Sequence, residues 1–407
     1  MKKIKINMLS SADKVDGQGV GSAYVEQVKL IKEDASDMFD VEINGKQPAD
    51  IFHHHTIDLP NYYKSKVHKG ANVAYVHFLP HTLDGSIRLP KSLFNIFKKY
   101  VIEFYKSMDR LIVVNPIFMN DLEQYGIAKE KMIYIPNYVS KEDFYEMDKV
   151  QSMELRKQYD IAEDAFVALG VGQVQTRKGV FDFVEVAKKN PDITFVWAGG
   201  FSFGVITDGY DQLKKLQENP PHNVKFIGII ERSNMNAIYN MVDVLFMPSY
   251  NELFPMSILE AINSRKPLLL RDLDLYEDIL FKKYVKGTNN NEFSEKLKEL
   301  KMNPQTYKTY ANYAQEISEY YSKEHVLKMW IDFYSDVYQS IDGLEKERNK
   351  QKYNQKMMRL KAVNNKKMMK LQLSNKKKMR KIRASREELN KRNMEKIEKL
   401  TKKMYEE

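Results

Sequence analysis

Apolar runs of strand length recur along the chain, each closed by Gly, Pro, Asn or Ser and most preceded by a stretch with helical spacing. The first series is IKINML (4–9), ADIFHHH (49–55), NVAYVHF (72–78) and RLIVVN (110–115). The alternation restarts at AFVALGVGQV (165–174) and continues through ITFVWAGG (193–200), VKFIGII (224–230), DVLFMPSY (243–250) and KPLLLRDL (266–273). Buried strands separated by helical segments argue for parallel sheets with helices on their faces. Between the two series, YIPNYVSKEDF (134–144) carries the punctuation of a linker. The pattern predicts an α/β protein with two Rossmann-like domains, residues 1–155 and 156–325, facing one another across a cleft. Ligands in such sheets bind beyond the carboxyl ends of the strands.

The pattern changes near residue 344. Residues 353–386 contain no acid, and Met, Leu and Ile are scattered among Lys and Arg; from Leu389 the spacing of Met394, Ile397, Leu400 and Met404 becomes helical. Residues 344–407 hold 23 Lys plus Arg against 8 Asp plus Glu, a net charge of +15, whereas the whole chain is +10. The basicity therefore belongs to a helical or partly disordered tail, and the first 343 residues are near −5. An anionic membrane surface suits that tail. Nucleic acid is not the expected partner, since Tyr353 and Tyr405 are its only aromatic residues. There is no solenoid-type repeat. At 407 residues without cysteine, the chain has room for two cores and excludes disulfides and thiolate chemistry. The opening MKKIKINMLSS lacks an apolar signal region, and no window approaches the ~20 apolar residues of a membrane span, so any membrane contact is expected to be peripheral.

The richest segment for chemistry is NELFPMSILEA (251–261). Glu252 falls on the loop after a buried strand, and Glu260 about one turn into the helix that starts near Pro255. The backbone N–H groups of Leu253, Phe254 and Met256 are placed to meet a phosphate, and carboxylates accept hydrogen bonds from vicinal hydroxyls. Alone, two such Glu also fit a solvated helix surface. In GVGQVQTRKGV (170–180) a glycine turn leads from strand to helix, and Lys178 can neutralise a diphosphate. In DGQGVGSAYVEQ (16–27), Gly19 and Gly21 fall where the first strand turns into a helix, as in a tight βα turn. The third glycine of a dinucleotide fingerprint is absent, which disfavours a nicotinamide role. His53, His54, His55, His77 and His81 raise the question of metal, but no cysteine and no H-E-x-x-H pattern accompanies them, and no metal is predicted. The Asp272-Leu-Asp274 triplet imitates a metal-holding D-x-D and is taken as coincidence.

NELFPMSILEA, followed by the strand KPLLL, resembles the E-x7-E signature of retaining glycosyltransferases of family 4, which have the GT-B fold. GQVQTRKG is similar to that family's G-R-x4-K-G element, with Lys178 and Gly179 in place. The family's Arg is matched by Gln173, which can hydrogen-bond a phosphate but adds no charge, so that either Arg177 or a different contact replaces the missing cation. ADIFHHHTI resembles a strand-end D-x-x-x-x-H element, NVAYVHFLPHT the strand presenting a cleft histidine, and FIGIIERS (226–233) the strand beside the nucleotide base. The resemblance covers about residues 1–340 and implies that a helix at 326–343 returns to the first domain. It implies catalytic roles for Glu252 and His77. It implies donor contacts from Gly19, Gly21, Gln173, Arg177, Lys178, Ile230, Leu253, Phe254 and Glu260. The expected donor is a UDP-hexose, with no cofactor or metal, retention at the anomeric carbon and no protein nucleophile.

Within the family, the opening strand, GVGSAYVEQ and GQVQTRKGV look most like bacterial synthases that add a second hexose to monoglucosyl-diacylglycerol, making the anchor of lipoteichoic acid. That likeness implies a diacylglycerol glycolipid acceptor at the cytoplasmic face of the membrane. In LPKSLFNIFKKYVIEFYKSM (89–108), Phe94, Phe97, Val101, Phe104 and Met108 form a helical stripe with Lys91, Lys98, Lys99 and Lys106 on the other side. This helix either covers its own sheet or dips into lipid, and Phe94, Phe97, Lys98, Lys99 and Phe104 are the candidate membrane or acceptor contacts. Two other readings stay open: transfer to a surface protein or polysaccharide, and a non-enzymatic membrane or nucleic-acid binder acting through the tail.

Overall fold

The computed structural model describes residues 2–11, 19–66, 69–79, 91–202 and 204–404. His81 and residues 16–18 of the first glycine loop lie outside them. The chain divides into two units, Met1–Ile341 and Asp342–Glu407.

The first unit contains two six-stranded sheets whose neighbours pair in parallel. The strands of one sheet are β1 (Ile4–Leu9), β2 (Phe39–Ile43), β3 (Ile51–His54), β4 (Ala71–Val76), β5 (Arg110–Val113) and β6 (Met132–Tyr134), in the order β2-β1-β3-β4-β5-β6. The other holds β7 (Val167–Val171), β8 (Thr194–Ala198), β9 (Val224–Gly228), β10 (Val244–Met247), β11 (Leu268–Arg271) and β12 (Val285–Gly287), in the order β12-β11-β10-β7-β8-β9. This is the expected α/β architecture of two Rossmann-like sheets with a basic helical extension. In each sheet the chain reverses direction of travel beside its first strand, which opens a crevice at the carboxyl ends. The nine strands read from apolar runs are present. The three that the pattern did not announce, β2, β6 and β12, are all edge strands. In β2 only Phe39 is buried, and the other two are three residues long.

Each sheet is closed by aromatic and aliphatic packing. Behind β4 and β5, Val101, Phe104, Met108 and Leu122 are buried with the strand residues Ala74, Val76, Leu111 and Val113. In the second half Phe183 meets Trp197 at 5.1 Å and Phe246 at 5.5 Å between ring centroids, geometries that add to simple area burial. This packing corrects one expectation. The stripe on helix Lys91–Ser107 turns inward: Phe104 is 1% exposed and Phe97 packs on the same core, so Phe104 cannot touch a membrane or acceptor. The apolar side chains that this helix exposes are Leu93 and Ile96. The periodicity was amphipathic as read, but its apolar side is the side that covers the sheet.

Helix Lys323–Met404 begins in the first unit. There Trp330 and Tyr334 stack on one another, Trp330 meets Tyr75 of β4 at 5.5 Å, and the Tyr334 hydroxyl lies 2.7 Å from Nδ1 of His53 on β3. Gln27 donates to the same hydroxyl. The chain thus leaves the second sheet and anchors itself on strands of the first. Trp330→Ala should lower the unfolding free energy by about 3–5 kcal/mol, the usual loss for a fully buried aromatic. Urea unfolding checks this, and a change below about 1 kcal/mol would show that this helix does not bear on the stability of the first sheet.

Candidate active site

Glu252 follows β10 and precedes helix Met256–Asn263, and its side chain is only 7% exposed. A carboxylate so placed needs charged partners. Lys178 donates to its Oε1 at 2.5 Å, Arg177 Nη1 stands 3.6 Å from Oε2, and Arg177 also donates to the Asn251 carbonyl. Burial alone would raise the pKa of Glu252; Lys178 and Arg177 outweigh it, and the net shift is downward. Burial also lowers the pKa of Lys178, with Arg177 adding repulsion and Glu252 drawing it part of the way back. The site therefore concentrates two cations and one anion in a nearly dry environment.

Local geometry puts the cations there. Arg177 and Lys178 occupy a short turn, Thr176–Lys178, between β7 and helix Val180–Lys188. The turn ends at Gly179 with φ +72°, where a Cβ would sit 2.3 Å from the Pro248 carbonyl oxygen at the end of β10. Only glycine lets the β7 loop approach the β10 loop this closely. Gln173, by contrast, accepts a hydrogen bond from Gln175.

Glu260 belongs to a second charged group. Its Oε1 accepts from Arg232 at 2.5 Å and its Oε2 from the Tyr239 hydroxyl at 2.7 Å. Arg232 also reaches Glu26 Oε1, on helix Gly19–Asp34 of the first half, and Ser140 N–H donates to Glu26 Oε2. Burial raises the pKa of Glu26, and the Arg232 charge and hydrogen bond act in the other direction. Sequence reading missed Glu26 and Arg232, which lie in the unremarked parts of GVGSAYVEQ and FIGIIERS. The signal was present as a strand exit carrying an arginine, but its partner in the first half is 206 residues away.

The first half also holds the Glu252 loop through asparagines. Asn115, just beyond β5, donates to the carbonyls of Leu253 and Leu275, and Asn137 donates to the carbonyl of Phe254. The Leu253 side chain packs against the first-half core and Phe254 is buried. Tyr75 donates to the Asn137 side chain and lies edge-on to His77 at 4.4 Å. The catalytic histidine candidate and the Glu252 loop are therefore linked through Tyr75 and Asn137.

His77 stands at the carboxyl end of β4, stacked 5.9 Å from His55, which stacks 4.1 Å from His53. Burial lowers the pKa of His77 to about 3, and burial followed by neighbouring histidines keeps His53 and His55 well below the ordinary value. His77 is thus a neutral hydrogen-bonding group at pH 7, not a fixed cation. Of the remaining candidates, Gly19 and Gly21 lie at the start of helix Gly19–Asp34, and Ile230 is half-buried just past β9, beside an exposed Ile229. Phe94 is half-buried with Lys98 4.5 Å above its ring, and Lys99 is exposed. Among the described residues no group of three or more His, Asp or Glu is arranged to hold a metal, and Asp272 pairs with Lys286.

Two Rossmann-like sheets with a cation-flanked Glu252 between them are the arrangement expected of a GT-B fold. A family profile described as glycosyl transferases group 1 matches residues 151–317. The chain is 47% identical over 335 residues to the alpha-galactosylglucosyldiacylglycerol synthase of Streptococcus pneumoniae, an alignment covering 82% of this chain and 90% of that one. It is 31% identical to the processive diacylglycerol alpha-glucosyltransferase of Acholeplasma laidlawii over 52% of this chain and 63% of the relative. In fold it is similar to Anabaena HepE, crystallised with UDP-glucose, with TM-score 0.67 and 15% identity over 82% of this chain and all of the other. It is also similar to sucrose-phosphate synthase from Thermosynechococcus elongatus, with TM-score 0.69 and 14% identity over 83% of this chain and all of that one. The protein belongs to the group 1 glycosyl transferases.

The buried histidines make stability depend on pH. A free imidazole takes up a proton as pH falls through about 6.5, whereas folded His77 resists until about 3, so in that window the unfolded chain binds more protons. Stability from this source is complete above pH 6.5 and is lost as pH falls towards 3, at up to about 1.4 kcal/mol per pH unit for each such histidine. Thermal unfolding between pH 7.5 and 5 should show Tm falling on acidification, less steeply in His55→Phe. Equal slopes in the variant and the parent would show that His55 is not held neutral by the fold.

Proposed function

We propose that this enzyme transfers galactose or glucose from a UDP-sugar, with retention at the anomeric carbon, to monoglucosyl-diacylglycerol at the cytoplasmic face of the membrane. The observation that carries the reading is the 47% identity, along nearly the whole relative, to a synthase named for an α-linked galactosylglucosyl lipid. That name favours galactose as the donor sugar. An α-linked product formed from an α-configured UDP-sugar is retention.

The site supports each part of the reaction. Glu252 offers a charged acceptor for hydroxyls of the transferred sugar, while Lys178 and Arg177 supply the positive charge that a departing diphosphate requires. Helix Met256–Asn263 presents its N-terminal end, with the N–H groups of Leu253 and Phe254 leading into it, and Gln173 adds a polar contact. Glu260 uses one acceptor position on each oxygen for Arg232 and Tyr239, which leaves further lone pairs for ribose hydroxyls. Gly19 and Gly21 allow close backbone approach, and Ile230 lies where the base would be read. Neutral His77 hydrogen-bonds the sugar near the reacting carbon. These are positional and electrostatic contributions to a transition state with oxocarbenium character, and no protein nucleophile or metal is needed.

In the same reading residues 1–155 serve the acceptor and residues 156–325 the donor, with 326–343 joining them and 344–407 as the basic tail. Phe94, Phe97, Lys98 and Lys99 lie on the acceptor side, together with Leu93 and Ile96, whose exposure suits lipid contact better. No described helix is long and apolar enough to cross a membrane.

Incubation of the full chain with UDP-galactose and UDP-glucose separately, with detergent-dispersed monoglucosyl-diacylglycerol, should yield a lipid one hexose heavier with an α-anomeric coupling by NMR. UDP-galactose should be the better donor. Glu252→Ala should retain the circular dichroism spectrum and lose at least about 100-fold in kcat. No product from either donor would remove the lipid assignment and leave the transferase class standing.

A further inference from the structure

The second unit contains an eleven-residue repeat. Residues 353–363, 364–374 and 375–385 read YNQKMMRLKAV, NNKKMMKLQLS and NKKKMRKIRAS. Position five of each is Met357, Met368 or Met379, position eight is Leu360, Leu371 or Ile382, and the residue before each methionine is a lysine. Eleven residues make three turns of an α-helix to within about 20°. In the continuous helix Lys323–Met404 these six apolar side chains therefore fall within one sector about 100° wide. All six are exposed, from 38% for Met357 to 66% for Met379. The basic residues crowd the flanks and back of the helix, and their long stems can lie along the edge of the stripe while their charges stay in water.

Three occupants can cover such a stripe, and charge selects among them. An eleven-residue repeat is also the seam of a right-handed coil of helices. A second copy, however, would bring 13 Lys and Arg in residues 353–386 against the same 13 with no acid to offset them. A nucleic acid would neutralise the cations but leave the Met and Leu positions in water, with one tyrosine in the whole stretch for base stacking. An anionic lipid surface satisfies both halves of the pattern, taking apolar side chains into its boundary and cations at its head groups. We propose that residues 353–385 lie flat on an anionic bilayer as an in-plane helix whose binding depends on the phase of the repeat and not on charge alone. This deepens the membrane contact in the proposed function, yet it requires neither glycolipid nor donor.

Phase and charge can be separated by two deletions in the full-length protein. Removing residues 364–374 excises one repeat and keeps the downstream stripe aligned. Removing residues 364–372 excises two and a half turns and rotates the downstream stripe by about 180°. Both delete the same three lysines, Lys366, Lys367 and Lys370, and no acid, and the second keeps Leu373. Flotation with phosphatidylcholine vesicles carrying about 30 mol% phosphatidylglycerol reads the outcome. The eleven-residue deletion should bind within about 3-fold of the full chain and the nine-residue deletion at least about 10-fold more weakly, a gap persisting at about 0.5 M NaCl. Equal weakening of both would overturn the proposal and leave a plain electrostatic tether. Phase-dependent dimers in analytical ultracentrifugation without vesicles would overturn it in favour of a second copy, and tighter binding to duplex DNA than to vesicles in favour of nucleic acid. Because the vesicles lack glycolipid, a failed transfer assay leaves this result intact, and the reverse also holds.

Discussion

A carboxylate taken out of water has to be matched by positive charge, and the match made at Glu252 sets much of the surrounding architecture. The two cations come from the turn after β7, so that turn must press against the end of β10, and Gly179 is what makes the approach sterically feasible. The backbone beyond Glu252 is in turn pinned by Asn115 and Asn137 from the other half of the chain. Replacing the cluster with apolar groups of similar shape would cost little stability and could add some. In the proposed reaction, two cations and an acceptor oxygen at fixed positions in a low-dielectric setting are what a sugar diphosphate requires.

The two halves are joined at more than one place, and the joins differ in character. Arg232 bridges Glu26 and Glu260, a polar tie between the helix after β1 and the E-x7-E helix. Trp330 and Tyr334 make an aromatic tie from the returning helix to β3 and β4. The histidine column lies on the second of these ties. His53 is bonded to Tyr334, His55 stacks on His53, and His77 stacks on His55. A continuous series of ring contacts thus runs from the returning helix to the carboxyl end of β4. Keeping these rings neutral allows three imidazoles to stack without mutual repulsion, which is consistent with their depressed pKa values.

Legibility in the sequence followed burial. Nine strands could be read because runs such as ANVAYV and TFVWA are apolar on both faces. Three of the four edge strands could not, because Phe39–Ile43 buries little beyond its first residue and the other two are too short to carry a period. Glu252 and Lys178 could be paired from motif order, since each ends a strand of one sheet. Glu26, Arg232, Asn115 and Asn137 could not, because each has a partner across the junction between halves, more than 100 residues away, and no local pattern encodes such a meeting. Phe104 was misplaced for a related reason. Periodicity shows that a helix has two sides, but which side meets the sheet depends on the neighbouring strands.

Under the proposed membrane attachment, the distribution of charge along the chain follows from electrostatics. With a net charge near −5, the first 343 residues would be repelled as a body from an anionic leaflet, which is where the proposed acceptor resides. A catalytic unit of that sign needs a separate element of opposite sign to remain at the surface, and a segment of net +15 reverses the balance for the whole chain. Charge alone would fade beyond about 10 Å in physiological salt and would leave the helix free to roll. A stripe of Met and Leu repeating every eleven residues removes that freedom, because only one sector of the helix can enter the lipid boundary. Long-range attraction and short-range orientation are thus assigned to different residue types within the same repeat. In the proposed arrangement, that division accounts for a tail that alternates lysine with methionine and does not consist of lysine alone.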